Sequence, residues 1–407
     1  MIKSDTVQDT EVALRPAAAQ QVFLPRAPVL DWANFKRTGA PHIACIEDAP
    51  HTVITTSGRA ALYHALLQLR LPARATVLVP TYHCPTMVAP VICAGLRPAF
   101  FGLQADGLPD LDTLDTAVAQ EAGAIIVAHY FGLPHSLIAI RAWCDLHHVA
   151  LIEDCAHSFF GHAGDRPVGH WGDYAVASLS KFFPVPEAGL LASATRPIPQ
   201  LSLEALGLRA QVKGWVDVLE FAVDHDRLGG LNRLLSPIFN LKNHNSKTEP
   251  PDDDVDLSSE LAMLRICDMG RIGNAPLGVS LMLNRGLSRG RIAARRRENF
   301  DRYAQYFSSV SGAQPAFPAM PEATAPYVFP LWVDDAERVY RSLRTRRLPV
   351  FRWDRIWPGT PQRKGDVGPL WSEHVLQLLC HQDLSAADIE YTAGAVLDLL
   401  QSTRTSK

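Results

Sequence analysis

A carboxylate and a lysine, each at the end of an apolar run, are the residues best placed to do chemistry. Asp154 closes the run VALIED, and Lys181 comes 27 residues later, just after the run YAVASL. A lysine in a partly dry loop can lose its proton and act as an amine nucleophile. A buried carboxylate requires a cationic or hydrogen-bonding partner, and His157, three residues after Asp154, could lie beside it. Ser178 and Ser180 flank Lys181 as small donors. Taken singly, Lys181 could be a solvent-facing loop residue and Asp154 an ordinary helix start.

The segment TTSGRAAL (55–62) has the composition of an anion-binding turn. A strand-like run ends in Ser57, Gly58 and Arg59, and a helix-like segment begins there. The N–H groups and the dipole at a helix N-terminus attract anions, and a glycine allows close approach. Ser57 and Arg59 would add donors, although Ser57 could also be a plain N-cap.

A fourth candidate segment, VPTYHCPTMVAP (79–90), follows another apolar run. Tyr82, His83 and Cys84 stand between that run and an apolar helix-like stretch. An aromatic ring or an imidazole there could lie against a flat ligand ring, and ordinary loop packing is the alternative. The combination of an anion-binding turn, a strand-end aspartate and a lysine meets the needs of pyridoxal phosphate. Its phosphate needs a helix N-terminus, its ring nitrogen a carboxylate, and its aldehyde a lysine Schiff base.

Seven short apolar runs alternate with helix-like segments between residues 51 and 193. The runs are residues 51–56, 75–80, 97–103, 123–130, 149–154, 174–179 and 189–193. This alternation predicts an α/β fold with a largely parallel sheet covered on both faces. In such sheets ligands bind at the carboxyl ends of the strands, where the candidate residues stand.

The remaining chain divides into regions of different pattern. We expect residues 1–50 to form a loosely ordered N-terminal arm and residues 51–199 a large cofactor-binding domain. The pattern of residues 200–265 predicts a helical insertion, and its polar stretch 242–256 indicates a linker. Residues 266–407 predict a smaller C-terminal α/β domain. Within it, 278–307 reads as one long basic helix, and its arginines, including Arg296, are too cationic for a core and suggest a solvated face.

Composition excludes several classes of function. The chain has 407 residues, with 39 Lys and Arg against 42 Asp and Glu. It therefore lacks the excess of positive charge that is typical of proteins that bind nucleic acid or an anionic membrane. No run reaches the length of a membrane span, and the N-terminus lacks the apolar core of a signal peptide. The seven cysteines are scattered, which favours reduced thiols in the cytoplasm and predicts no metal site.

Residues 51–193 resemble the DegT/StrS-type sugar aminotransferases, a branch of the fold-type-I enzymes that depend on pyridoxal phosphate. The resemblance rests on SGRAAL, VPTYHCPT, AGLRPAF, AHYFGLPH, IEDCAHSFFG and the SLSK and PVPEAG segments, in this order. It extends to about residues 50–200 and 270–400. It implies a large domain with a mostly parallel seven-stranded sheet and a smaller C-terminal α/β domain.

The resemblance also assigns roles to individual residues. Lys181 would form the Schiff base, Asp154 would pair with the pyridine nitrogen, and His157 would lie near the ring oxygen. The cofactor-binding residues would be Ser57, Gly58, Arg59, Tyr82, His83, Cys84, Asp154, His157, Ser178 and Lys181. Among them Gly58 and Arg59 hold the phosphate position, and Tyr82, His83 or Cys84 takes the place of the ring-stacking residue.

The implied activity is transfer of an amino group from an amino acid, glutamate or glutamine, to a keto group. The acceptor would be a sugar nucleotide, a cyclitol or a similar polar metabolite in polysaccharide or secondary-metabolite biosynthesis. Two alternatives stay open: another pyridoxal-phosphate reaction, such as dehydration or condensation, and a non-catalytic binding or regulatory relative. An intact pair of Lys181 and Asp154 argues against the latter. The family further implies a homodimer.

Overall fold

The computed structural model describes residues 23–36, 39, 42–113, 120–243, 257–317 and 319–402. Residues 1–22 of the predicted arm and 244–256 of the predicted linker lie outside the described residues.

The centre of the molecule is an eight-stranded sheet in the order β1-β10-β9-β6-β5-β2-β3-β4. Its strands are β1 (His51–Thr55), β2 (Thr76–Pro80), β3 (Arg97–Leu103), β4 (Pro109–Asp110), β5 (Ala122–Ala128), β6 (Ala150–Asp154), β9 (Tyr174–Ser178) and β10 (Gly189–Ser193). A separate two-stranded ribbon is formed by β7 (His162–Ala163) and β8 (Arg166–Pro167). All seven predicted runs are strands of the large sheet. The predicted number of seven was one too low, because the two-residue β4 is too short to leave a periodic pattern.

Most strands of this sheet point the same way. The pairs β2–β3, β2–β5, β5–β6 and β6–β9 are parallel, whereas β10 is antiparallel to both β9 and β1. The strand β2 is buried throughout, as expected for a parallel strand covered on both faces. The carboxyl ends of β1, β2, β5, β6 and β9 therefore meet at one edge of the sheet.

A second sheet lies in the C-terminal part of the chain. It is antiparallel, in the order β11-β12-β14-β13, with β11 (Ala313–Pro315), β12 (Val328–Val333), β13 (Val350–Phe351) and β14 (Val375–Leu379). One hydrophobic core runs continuously from Leu78 of the large sheet to Leu331 of this one. The division of the chain at residues 199 and 265 stays a prediction.

Helices cover the two sheets. In the described residues the α-helices are α1 (Gly58–Gln68), α2 (Pro85–Cys93), α3 (Ile138–His147), α4 (Leu208–Asp224), α5 (Gly230–Asn243), α6 (Glu260–Ile266), α7 (Gly278–Gly286), α8 (Arg289–Tyr306), α9 (Ala336–Thr345), α10 (Gly368–His374) and α11 (Ala386–Ser402). The predicted insertion is helical, with α4 packed against α5 and α7. None of the described helices combines the length and apolarity that crossing a bilayer requires.

Two expectations about the rest of the chain were wrong. The predicted long basic helix is broken into α7 and α8, because the Ser288 side chain caps α8 by accepting from the Arg291 N–H. The predicted solvated face is also incorrect at Arg296, which is fully buried. The N-terminal segment is packed where it is described: Val29 is buried and its N–H donates to Asp383 over 3.0 Å.

Candidate active site

A cavity of about 440 Å³ opens at the carboxyl edge of the large sheet. Its wall includes eight of the ten predicted site residues, which come from four separate strand ends. These are Ser57, Gly58, Arg59, Cys84, Asp154, His157, Ser178 and Lys181. The parallel topology brings them together, since each follows a strand that ends at this edge.

Lys181 lies in a short 3-10 turn, Leu179–Lys181, directly after β9. Its backbone carbonyl accepts a hydrogen bond of 2.6 Å from Arg296, which fixes the turn. Its Nζ atom lies 5.1 Å from the centre of the Tyr327 ring. Burial lowers the pKa of Lys181, although the nearby Cys84 and Asp154 act in the opposite direction. The amine is thus more easily deprotonated than that of a free lysine.

Asp154 is the last residue of β6 and is buried against the cavity. One carboxylate oxygen, Oδ1, accepts a hydrogen bond of 2.8 Å from the Ala156 N–H. Burial raises the pKa of Asp154, while the Ala156 N–H and the charge of Lys181 act to lower it. A cationic group entering the cavity would therefore favour the ionised carboxylate.

His157 presents an unused hydrogen-bond donor. Its Nδ1 accepts from the Phe131 N–H over 3.3 Å, and burial, followed by the charge of Lys181, holds the pKa of His157 well below its usual range. The ring is therefore neutral, and the proton must be on Nε2. This Nε2 atom is buried without a partner among the described residues, which leaves it available to an acceptor in the cavity.

The turn that supports His157 has an unusual backbone. Phe131 has a φ of 61°, a left-handed conformation that costs a bulky residue free energy. Gly132 follows with a φ of 86°, and a Cβ there would lie 2.4 Å from the Tyr327 nitrogen. The segment AHYFGLPH is thus shaped so that the Phe131 N–H reaches His157 while the second sheet packs closely behind it.

The N-terminus of α1 forms an anion cradle in the cavity wall. Ser57 is its N-cap, with Oγ accepting from the Ala60 N–H over 3.2 Å, so the simpler interpretation of Ser57 is also correct. A Cβ on Gly58 would lie 3.2 Å from the Ser178 Cβ, and one on Gly189 would lie 2.1 Å from the Ser57 oxygen. The backbone contact at Gly189 leaves no room for a side chain, and a side chain at Gly58 would require Ser178 to shift.

Two arginines stand beside this cradle, and each has an acidic partner. The Arg59 Nη2 lies 3.0 Å from Asp268 Oδ2, and the Arg271 Nη2 lies 2.6 Å from Glu187 Oε1. Burial raises the pKa of Glu187, and the charges of Arg271 and Arg59 lower it. The cradle therefore attracts anions mainly through its helix N-terminus, with Arg59 as a partly compensated cation.

Tyr82 and His83 lie away from the cavity wall, which corrects the prediction that either contacts a cofactor ring. The His83 ring is directed to the Pro80 carbonyl and the Trp357 N–H, at 2.8 and 3.0 Å. The Tyr82 side chain is fully buried, and its hydroxyl oxygen accepts from the Gln377 amide. Successive residues after a strand point in different directions, and of Tyr82, His83 and Cys84 only Cys84 lines the wall.

Several residues of the wall escaped the sequence analysis. Tyr327, Trp353 and Gln377 come from the second sheet and its loops, and the Trp353 ring lies 4.7 Å from the His157 ring. Gln377 could have been suspected, because it is a single polar residue in the fully buried strand VLQLL. Tyr327 and Trp353 carry no such signal. Glu187 stands in the quoted motif PVPEAG but was given no role.

A buried cluster behind the site has the composition of a metal centre. His129, Glu153 and Cys155 place their ligand atoms within 4.8 Å of one another. The Glu153 oxygens, however, already accept hydrogen bonds. Their donors are His129 at 2.8 Å, Gly169 at 2.7 Å, Trp171 at 2.9 Å and Gly172 at 3.3 Å. This cluster therefore anchors the loop before β9 to β6.

The α/β fold, with its large and mostly parallel sheet, matches the fold of solved DegT-type aminotransferase structures. The model of the DegT/DnrJ/EryC1/StrS aminotransferase family matches residues 42–195. This match confirms the predicted resemblance over that segment of the chain.

Curated relatives point the same way. The chain is 25% identical over 176 residues to GDP-perosamine synthase of Vibrio cholerae, covering 42% of this chain and 48% of the relative. It is 28% identical over 212 residues to L-glutamine:2-deoxy-scyllo-inosose aminotransferase of Micromonospora echinospora, covering 50% of each. The alignments thus span about half the length of these relatives.

Solved structures extend the likeness of fold over most of the chain. A DegT DnrJ EryC1 StrS aminotransferase from Brucella abortus aligns with a TM-score of 0.58 at 17% identity, covering 86% of both chains. GDP-4-keto-6-deoxymannose-3-dehydratase (ColD) aligns with a TM-score of 0.58 at 15% identity, covering 86% of this chain and 89% of that one. At these identities the likeness concerns the fold.

Proposed function

We propose that the protein is a pyridoxal-phosphate-dependent aminotransferase. The observation that carries this proposal is that Lys181, Asp154 and the unpartnered Nε2 of His157 share one cavity with the N-terminus of α1. These groups provide an amine, a carboxylate, a neutral donor and an anion cradle in the arrangement that the cofactor needs.

The residues present fit pyridoxal phosphate. The cradle of Ser57, Gly58 and Arg59 would hold its phosphate, the carboxylate of Asp154 its ring nitrogen, and the Nε2–H of His157 its ring oxygen. When bound, the cofactor supplies an electron sink for a substrate carbanion. Solved structures related in fold include an aminotransferase from Streptococcus pneumoniae in the PMP form.

Each residue of the chain has a definable task in this proposal. Lys181 anchors the cofactor and, when released from it, takes and returns a proton at its Nζ atom. Asp154 keeps the ring nitrogen protonated through its negative charge. Tyr327 and Trp353 limit the access of water around Lys181 and His157.

The substrate classes follow from the relatives. Three of the matching relatives have names that contain a sugar nucleotide or a cyclitol, and one of these names also contains L-glutamine. We extend this to an amino donor such as glutamate or glutamine and to a keto acceptor that is a sugar nucleotide, a cyclitol or a similar polar metabolite. Since all seven cysteines are unpaired, we place the protein in a reducing compartment, the cytoplasm.

A homodimer is the oligomeric state that we propose. Helices α4, α5 and α6 expose large apolar side chains, among them Leu208, Leu234, Ile238 and Leu261, with exposed fractions of 60% or more. Apolar groups exposed in this number are typical of a surface that associates. Sedimentation equilibrium should give a dimer, and Leu234→Asp with Ile238→Asp should shift it towards the monomer. A fully active monomeric native protein would contradict this part of the proposal.

The activity can be tested one half-reaction at a time. Holoenzyme mixed with L-glutamate or L-glutamine should lose the visible absorbance of the bound cofactor as the pyridoxamine form accumulates. Adding keto sugars and keto cyclitols should restore it, and mass spectrometry should identify the aminated product. Absence of this cycle with every donor, or release of ammonia and a dehydrated sugar, would reject the aminotransferase in favour of another reaction of this fold.

A further inference from the structure

A second cavity, of about 370 Å³, shares part of its wall with the first. Ser180, Lys181 and Tyr327 line both. The wall of the second cavity also includes the N-terminal residues 26–28 and His381. A substrate whose reacting group meets Lys181 can therefore extend towards Arg26, which the sequence analysis placed in a loosely ordered arm.

The segment that carries Arg26 is fixed on both sides. His381 donates through Nε2 to the Pro25 carbonyl over 3.0 Å, and the Val29 N–H donates to Asp383 over 3.0 Å. His381 Nδ1 accepts from the Asp383 N–H, consistent with a neutral ring. Pro25 and Val29 are buried, whereas the Arg26 side chain is exposed at the cavity. The backbone is thus tied down where Arg26 projects its charge.

The second cavity has a positive character. Its ionisable wall residues are Arg26, Lys181, Tyr327 and His381, of which Arg26 is the permanent cation, and no carboxylate belongs to its described wall. Burial lowers the pKa of His381 to about 3, so this ring adds no charge at neutral pH. Among the described residues Arg26 forms no ion pair. The acid across the adjoining cavity, Asp217, is engaged by Lys213.

We propose that Arg26 is a substrate-binding residue that holds the anionic group of a substrate while its reacting carbon faces Lys181. This inference rests on the proposed function and deepens it. The anion is either the carboxylate of the amino donor or a phosphate of the acceptor, because both offer oxygen acceptors to a guanidinium. The first cavity has fewer free cations for this task, since Arg59 pairs with Asp268 and Arg352 with Glu337.

Binding experiments on the holoenzyme distinguish a donor carboxylate from an acceptor phosphate as the anion that Arg26 holds. Calorimetric titration with glutarate, which lacks an amino group, reports the carboxylate, and titration with inorganic phosphate reports the phosphate. Removing a charge-assisted hydrogen bond should weaken the relevant anion about 10- to 100-fold in Arg26→Ala, and Arg26→Lys should recover part of the affinity. Arg344→Ala, at an exposed arginine on α9, is the matched control.

Steady-state kinetics then show which of the two substrates Arg26 binds. If the carboxylate is held, Arg26→Ala raises the KM for the amino donor about 10- to 100-fold with little change in its limiting rate. If the phosphate is held, the KM of the acceptor half-reaction rises instead. Wild-type protein that binds neither anion, or an Arg26→Ala variant that binds both as the wild type does, overturns the inference. A wild type that binds glutarate through Arg26 but transfers no amino group would instead reject the proposed function alone.

Discussion

The guanidinium of Arg296 donates a hydrogen bond of 2.6 Å to the backbone carbonyl of Lys181. Its other nitrogens donate to the carbonyls of Pro326 and Tyr327 and to the side chain of Gln382. Arg296 is fully buried, and burial lowers its pKa to about 10, so it remains charged at neutral pH. One side chain of α8 thus ties the loop of the proposed catalytic lysine to the second sheet.

Replacing Arg296 should disturb both stability and the site. Arg296→Met keeps the length of the side chain but removes the guanidinium donors to the carbonyls of Lys181, Pro326 and Tyr327, which should cost about 3–5 kcal/mol in the free energy of unfolding. Urea unfolding should show this loss, and circular dichroism should show that the variant still folds at low temperature. Under those folded conditions, turnover should fall while Arg302→Met, at an exposed position of the same helix, matches the wild type. Equal stability of the two variants would show that Arg296 is not the connection that we describe.

Lys181 should carry the cofactor. Borohydride reduction and peptide mapping should place a phosphopyridoxyl group on this lysine. Lys181→Ala should lose the visible absorbance of the bound cofactor and all transaminase activity, because both depend on the same Nζ atom. Lys213→Ala, at an exposed lysine of α4, should retain both. A label on any other lysine would refute the assignment.

The lowered pKa of Lys181 gives a pH dependence. Burial disfavours the charged amine, so at a given pH more of it is neutral than of a free lysine with a pKa of 10.5. The rate at which apoprotein captures pyridoxal phosphate should therefore rise with pH and level off below pH 10.5. Stopped-flow absorbance measures this profile. A midpoint at or above that of free lysine would contradict the buried environment.

Asp154 should be essential for turnover. Asp154→Asn removes the charge that would pair with the ring nitrogen but preserves size and the acceptor for the Ala156 N–H. We expect turnover to fall at least about 10²-fold, as for other electrostatic deletions at catalytic centres. Steady-state kinetics measure the loss, and Asp145→Asn, at an exposed position on α3, is the control. Near-normal turnover would mean that the partner of the ring nitrogen lies elsewhere.

His157 should act as a neutral donor. His157→Leu removes the Nε2–H and should weaken cofactor binding about 10-fold, whereas His157→Gln, which keeps an N–H donor, should lose less. Fluorescence titration of apoprotein with pyridoxal phosphate measures these affinities. Because burial holds the pKa of His157 well below its usual range, this ring should add no titration step to the wild-type affinity between about pH 6 and pH 8. Such a step, absent in His157→Gln, would show that the ring titrates.

Glu153 should stabilise the fold in a pH-dependent way. Burial alone would raise its pKa, but hydrogen bonds from His129, Gly169 and Trp171 outweigh burial, and the net pKa of Glu153 is lowered. The contribution of Glu153 to the free energy of unfolding is therefore fully present above its pKa in the unfolded chain, about 4.3. It is lost as the pH falls through the lower pKa that Glu153 has in the folded protein. Glu153→Gln should lower the free energy of unfolding by about 3 kcal/mol at pH 7 and by less under acid conditions. Glu121→Gln, at an exposed pair, should change little, and an equal effect of both would exclude the anchoring role.

Local sequence patterns determined the strands and their polar ends. The seven apolar runs could be located because a buried strand needs several consecutive apolar residues, and such a run is visible in the sequence itself. Asp154, Lys181 and the SGRAAL turn could be placed at one edge, since parallel strands end together. Even the family could be recognised, because its motifs lie within this one segment.

Only the tertiary structure decided which side chains face the cavity. Whether Cys84 rather than His83 reaches it depends on the rotation of the chain after β2, which no periodicity encodes. Tyr327, Trp353 and Arg26 come from distant parts of the chain to line cavities that Lys181 also lines. Arg296 could be buried only because four acceptors surround it, and a sequence shows the charge of an arginine but not its hydrogen-bond partners.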